Sequence, residues 1–171
     1  SKLTVSNSSL TSSGIGTTTL NDGLSYSQIY GTRVQDSEIS LNVPDVVRVL
    51  AVFESNGTSS ASPPIIQISG SLNGNQDFII GEQITGRTSG SVALVVGRVD
   101  SDKLEYVYLN TNPFSSSEVI VGNESKNQAT ITNKISSSKN ITKNFILDDG
   151  QRDTFYDYSR IIRVGGVEPP T

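Results

Sequence analysis

Apolar residues enter this chain in short, mostly alternating runs, each closed by Gly, Ser, Asn or Pro, and that punctuation limits the fold more than any single motif does. The run EISLNV from Glu38 puts Ile39, Leu41 and Val43 on one face before Pro44-Asp45 interrupts it, and VVRVLAVFE resumes over 46–54. After the loop NGTSSASPP comes IIQI at 65–68, with further strand patterns at 78–84, 91–99, 104–109, 118–121, 129–135 and 144–147. Ser, Thr, Asn and Gly together supply 70 of the 171 residues. Ser, Thr and Asn compete with helices through local side-chain hydrogen bonds and Gly through backbone freedom, so long helices are excluded.

The expected fold is all-β, a small sandwich or barrel of short antiparallel strands with an extended N-terminal arm. The opening SKLTVSNSSLTSSGIGTTT has few bulky apolar residues and reads as arm or linker, extended here to 1–37. Residues 38–144 read as the β module and 145–171 as a C-terminal docking segment.

Sliding the sequence by 36 positions exposes an internal repeat between 78–95 and 114–131. Phe78 falls on Phe114, Glu82 on Glu118, Ile84 on Ile120, Gly86 on Gly122, Ser89 on Ser125, Ala93 on Ala129 and Val95 on Ile131. Each copy reads as two strands around a Gly/Ser turn, too small to bury a face alone. The copies are expected to pack across the intervening strand 104–109. The second copy departs from the first, with Ser117 for Gly81 and Asn127 near the place of Gly90. Duplication and one barrel imposing its pattern on two hairpins both account for this frame.

Cys, His, Trp and Met are all absent. That removes disulfides, Cys- or His-based metal centres, and the Cys-His and Ser-His-Asp catalytic arrangements. The net charge of −4, with scattered Lys and Arg, argues against a nucleic-acid grip. No run approaches the length of a membrane span, and the first thirty residues lack the order of a signal peptide. No cofactor is expected: Gly14-Ile15-Gly16 has neither the third Gly nor the context of a phosphate loop.

Three groups of residues invite chemistry. Asp148, Asp149, Asp153 and Asp157 are dense enough for a hard cation, but the spacing is not that of a calcium loop; an Asp-Asp-Gly turn whose carboxylates pair with Arg152 and Arg160 explains them better. Glu82 and Glu118, matched in the repeat, are the one symmetric acid pair that could serve glycoside hydrolysis. Their place beside turns is better explained by a turn hydrogen bond or a strand-edge charge. The third group gives the interface candidates Phe145, Arg152, Phe155, Tyr156, Tyr158 and Arg160, since TFYDYSRIIRV mixes the aromatic and Arg residues favoured at interface centres. Four N-x-S/T triplets, from Asn7, Asn56, Asn123 and Asn140, are expected by chance in so Asn-, Ser- and Thr-rich a chain.

Three phrases carry a family resemblance. FILDDGQRDTFYDYSRIIR, over 145–163, resembles a motif of large virion structural proteins in tailed phages, especially contractile-tailed cyanophages of the T4-like group. LNVPDVVRVLAVFES, over 41–55, and FIIGEQITGRTSGSVALV, over 78–95, are similar to phrases of the same proteins. The resemblance implies a non-enzymatic structural segment of a virion, in baseplate, tail or tail fibre, cut from a longer parent chain and partnered by other tail or baseplate subunits as a homo- or hetero-oligomer. It carries over no catalytic residue. The alternative is a tail-fibre module binding a host receptor or host-surface glycan through loops near 56–62 and 71–76.

Overall fold

A computed structural model describes residues 3, 5, 10–12, 17–20, 25–27, 36–55, 59–69, 77–154 and 156–168. Among the described residues it is all-β, as the punctuation predicts, with one single turn of 3-10 helix at Thr142–Asn144. In chain order the strands are β1 (Leu10–Ser12), β2 (Thr17–Leu20), β3 (Ser25–Ser27), β4 (Glu38–Ser40), β5 (Phe53–Glu54), β6 (Ile65–Ser69) and β7 (Gln83–Gly86). They continue as β8 (Val92–Asp100), β9 (Lys103–Tyr108), β10 (Val119–Gly122), β11 (Gln128–Ile135), β12 (Lys139–Asn140), β13 (Phe145–Asp148) and β14 (Arg160–Arg163).

The chain forms two compact units, Phe53–Asn140 and a second made of Ser1–Val52 with Ile141–Thr171. These boundaries differ from the expected 37 and 144 because β4 pairs with β14, through Ile39↔Ile161, rather than with the strands that follow it. In the second unit, β13, β14 and β4 form one antiparallel sheet in that order. The stretch expected to be an extended arm contains a sheet of its own, the meander β1-β2-β3. Thr-rich runs such as Thr17–Leu20 suit a pleated backbone because Thr is β-branched.

Within Phe53–Asn140, six strands close a barrel in the order β10-β11-β6-β9-β8-β7, and β5 pairs with β12. Alternation fills it: β8 and β11 begin with one residue in and one out, placing Ala93, Val95, Ala129 and Ile131 inside. A barrel this narrow has no lumen, and its interior is packed by Ile66, Leu104, Ile84, Ile120, Phe78 and Phe114. Tyr106, Tyr108 and Phe114 meet with ring centroids 5.0–5.4 Å apart. Burial, then the hydrogen bond with Tyr108, raises the Tyr106 hydroxyl above its ordinary value.

The barrel obeys an approximate two-fold rule that reaches beyond the repeat seen in the sequence. β7 pairs with β10 as Ile84↔Gly122, Thr85↔Val121 and Gly86↔Ile120, a register that is unchanged when the copies are exchanged by 36. β6 and β9 obey the same rule with a shift of 38: Ile65↔Glu105, Ile66↔Leu104 and Gln67↔Lys103 are again self-mirroring. The Ile68 amide donates to the Asp102 carbonyl at 2.8 Å, and its counterpart, the Tyr106 amide, donates to the Pro64 carbonyl at 3.0 Å. Even the register shift between Val95 and Gly97 recurs between Ile131 and Asn133. The copies therefore pair directly, β7 on β10, rather than across 104–109 as the sequence suggested.

Two strand expectations need correction. Residues 78–82 form a capped turn, with Gly81 at φ +99°, so β7 begins only at Gln83. Residues 46–52 are β-prone but unladdered, because left-handed Asn42 and Asp45 break the chain before them. Their ends are held instead by side chains, the Val46 amide on Ser159 Oγ at 2.9 Å and the Val52 amide on Thr142 Oγ1 at 2.8 Å.

The left-handed positions also follow the repeat. Gly81 (φ +99°) corresponds to Ser117 (φ +60°), and Gly90 (φ +64°) to Lys126 (φ +58°), so the residue at the Gly90 place is Lys126 rather than Asn127. A side chain in this region costs about 1–2 kcal/mol, partly offset by the looser unfolded chain that Gly allows. Ser117→Gly is expected to stabilise the barrel by roughly 0.5–1 kcal/mol, read from urea unfolding midpoints. An unchanged or lowered midpoint would refute the strain at this turn.

Candidate functional site

The matched carboxylates are the densest polar site in the barrel, and each belongs to the other copy's turn. Glu82 accepts from Ser125 N at 3.0 Å, Ser125 Oγ at 2.9 Å and Glu124 N at 3.1 Å, and from Ile79 N at 2.6 Å in its own turn. Glu118 repeats this shifted by 36: Ser89 N and Thr88 N at 3.0 Å, Ser89 Oγ at 2.8 Å, and Ser115 N. Glu82 is wholly buried and Glu118 nearly so.

Glycine makes the approach possible. A Cβ on Gly122 would lie 2.6 Å from Glu82 Oε2, and one on Gly86 would lie 2.5 Å from Glu118 Oε2. The repeated frame of Glu, Gly and Ser is therefore one device: carboxylate, gap and turn. Burial pushes both carboxyls up, but the hydrogen bonds from Ser125, Ile79 and Glu124, and from Ser89, Ser115 and Thr88, outweigh it. Both are held below the ordinary 4.5. Such a group is ionised and saturated with donors, unlike a general acid, whose site raises its pKa.

The second polar site is the turn after β13. Arg152 donates to Asp148 Oδ1 at 3.1 Å and Oδ2 at 3.0 Å, while Arg160 lies 2.9 Å from Asp148 Oδ2 and 3.3 Å from Glu38 Oε2. The Arg152 hydrogen bond first, then the Gly150 amide, lowers the Asp148 carboxyl to about 2, although burial opposes them. Ser159, fully buried, donates to the Asp149 carbonyl at 2.7 Å and accepts the Val46 amide. Gly150 is required here, at φ +82°, because a Cβ would strike the Asp157 carbonyl oxygen. Among the described residues no group of three or more acidic side chains is arranged to hold a metal ion.

The interface candidates divide. Arg152 and Arg160 converge on Asp148, as the turn reading expected, so both are held internally. Phe145 lies under the Arg163 guanidinium, 4.8 Å from its ring centroid, and lines a shallow groove of about 240 Å³ with Val47, Val49, Leu147 and Ile161. Tyr156 and Tyr158 are 73% and 55% exposed. Phe155 lies outside the described residues, as do 56–58 and 71–76 of the suggested receptor loops. Sequence reasoning missed Glu38, Ser159 and Val47, the last 94% exposed. Glu38 and Val47 lie in apolar runs read only for their strand pattern, and nothing around Ser159 marks it.

No helix of the described residues is long and apolar enough to cross a membrane. Comparison with protein-family models, with curated proteins and with solved structures finds no match to the chain.

Proposed function

We propose that this chain is a non-enzymatic structural module of a tailed-phage particle, of the baseplate or tail type, that holds neighbouring subunits in register. The observation that carries this reading is where apolar surface is left open. Among the described residues, exposed Leu3, Val43, Val47, Leu50, Ile146, Tyr156, Tyr158 and Val164 belong to the unit of Ser1–Val52 with Ile141–Thr171, while Ile79, Ile80, Val99 and Ile135 are the exposed large apolar residues of the barrel unit. Two thirds of these exposed apolar side chains thus lie in the unit that also carries the exposed Tyr pair, which suits burial by companions, and Tyr contributes large contact area at low entropic cost. The barrel's matched carboxylates are already occupied by turn amides, which favours a mechanical use over acid-base chemistry. The resemblance of 41–55, 78–95 and 145–163 to phage virion proteins supplies the setting, with other tail or baseplate subunits as partners.

The test is incorporation. Tyr156→Ser combined with Tyr158→Ser is expected to leave unfolding unchanged but to lower incorporation into assembled particles at least tenfold. Removal of 1–19 is expected to leave the barrel folded and weaken assembly. Normal incorporation of both variants would contradict the proposal, and binding of the isolated chain on a glycan array would favour the receptor-binding alternative instead.

A further inference from the structure

We infer that the barrel is an exchangeable joint: strands β6–β8 of one molecule can close with β9–β11 of a second copy of this chain. The ladders β6–β9, β6–β11, β7–β10 and β8–β9 all run between the halves, and only β7–β8 and β10–β11 lie within one. β6 has no ladder with its own half at all. The Glu82 bonds to Ser125 and the Glu118 bonds to Ser89 also cross between halves. Neither half has a closed core alone.

What joins the halves covalently within the barrel is the two-residue turn Ser101-Asp102, between Asp100 and its ladder partner Lys103. Exchange at that turn preserves every ladder and every carboxylate bond, because each is made by the same residue pair whether the halves come from one chain or two. In the other unit, β4 precedes the turn and β13 and β14 follow it, so the β14–β4 ladder would be exchanged as well. Exchange of identical elements is a low-cost route to dimers, its free energy set by the hinge and by concentration. The partner class is therefore a second copy of the chain. The inference rests on the register alone and stands independently of the phage reading.

Thr85 and Val121 face each other in the β7–β10 ladder, a spacing suited to a disulfide, and the chain has no native Cys. Full-length Thr85→Cys and Val121→Cys chains would be mixed, unfolded in urea and refolded together under mild oxidation at rising concentration. The expected product is a disulfide-linked dimer of one chain of each kind, exceeding like-with-like dimers at least tenfold. Its yield should rise a further tenfold or more when Ser101 and Asp102 are deleted from both chains. The double variant within one chain, refolded dilute, must form its internal disulfide and so reports that the ladder is intact. With that control positive, absence of the mixed dimer at every concentration and in both hinge backgrounds overturns the inference, as does a mixed dimer no commoner than like-with-like ones.

Discussion

Glu82→Ala is expected to destabilise the barrel by roughly 3–5 kcal/mol, a large share of the ~5–15 kcal/mol that holds a domain folded. The substitution leaves the amides of Ile79, Glu124 and Ser125 and the Ser125 hydroxyl without their acceptor in a buried site. A buried donor left unsatisfied costs about 1–3 kcal/mol, and losses within one network add incompletely. Glu118→Ala should match it, since Glu118 is bound in the same way by Ser89, Thr88 and Ser115. Equilibrium urea unfolding of the full chain measures both, and a loss below about 1 kcal/mol for either would contradict the capping role. Acid should act on the same bonds. Both carboxyls are lowered on folding, so their contribution is whole above the ordinary 4.5 and is lost as pH falls below it through the folded values.

The second large effect is steric. Gly122→Ala puts a methyl into Ser125 Oγ and 2.6 Å from Glu82 Oε2, an oxygen held by two amides and unable to retreat without breaking them. The expected destabilisation is about 1–3 kcal/mol, the range for overpacking a tight site. In a background carrying both Glu82→Ala and Ser125→Ala the same substitution should cost less than about 1 kcal/mol, because both obstructing groups are gone. Equal costs in the two backgrounds would show that Gly122 is needed for its backbone and not for the approach of Glu82 and Ser125.

The repeat was legible where identical or similar side chains stand 36 apart, because Glu82, Gly86 and Ser89 each have a physical reason to recur at Glu118, Gly122 and Ser125. The third strand of each half, β6 or β9, was legible as a strand but not as part of the repeat. Ile66 and Leu104, or Ile68 and Tyr106, share apolar character but no identity, and their shift of 38 differs from that of the hairpins. A turn role for the two carboxylates could be read from their neighbours. That each caps the other copy's turn could not, since Glu82 and Ser125 lie far apart in the chain and only barrel closure brings them together.

Residues 46–52 show the opposite failure. Their Val-rich pattern signals a strand, but a strand needs a ladder, and local breaks at Asn42 and Asp45 together with caps from Ser159 and Thr142 hold the segment apart. At the C-terminal turn, the pairing of Asp148 with Arg152 was readable from spacing, while the second ion pair, with Arg160, depends on β14 folding back onto β13.

The carboxyl titrations of Glu82 and Glu118, followed by carbon NMR in glutamate-labelled chain, test the interlocked barrel most directly. Both side chains should titrate below 4.5, and mutating Ser125 should move Glu82 upward while leaving Glu118 in place. A carboxyl at either position titrating above 4.5, or one that ignores loss of the opposite copy's serine, would contradict the account.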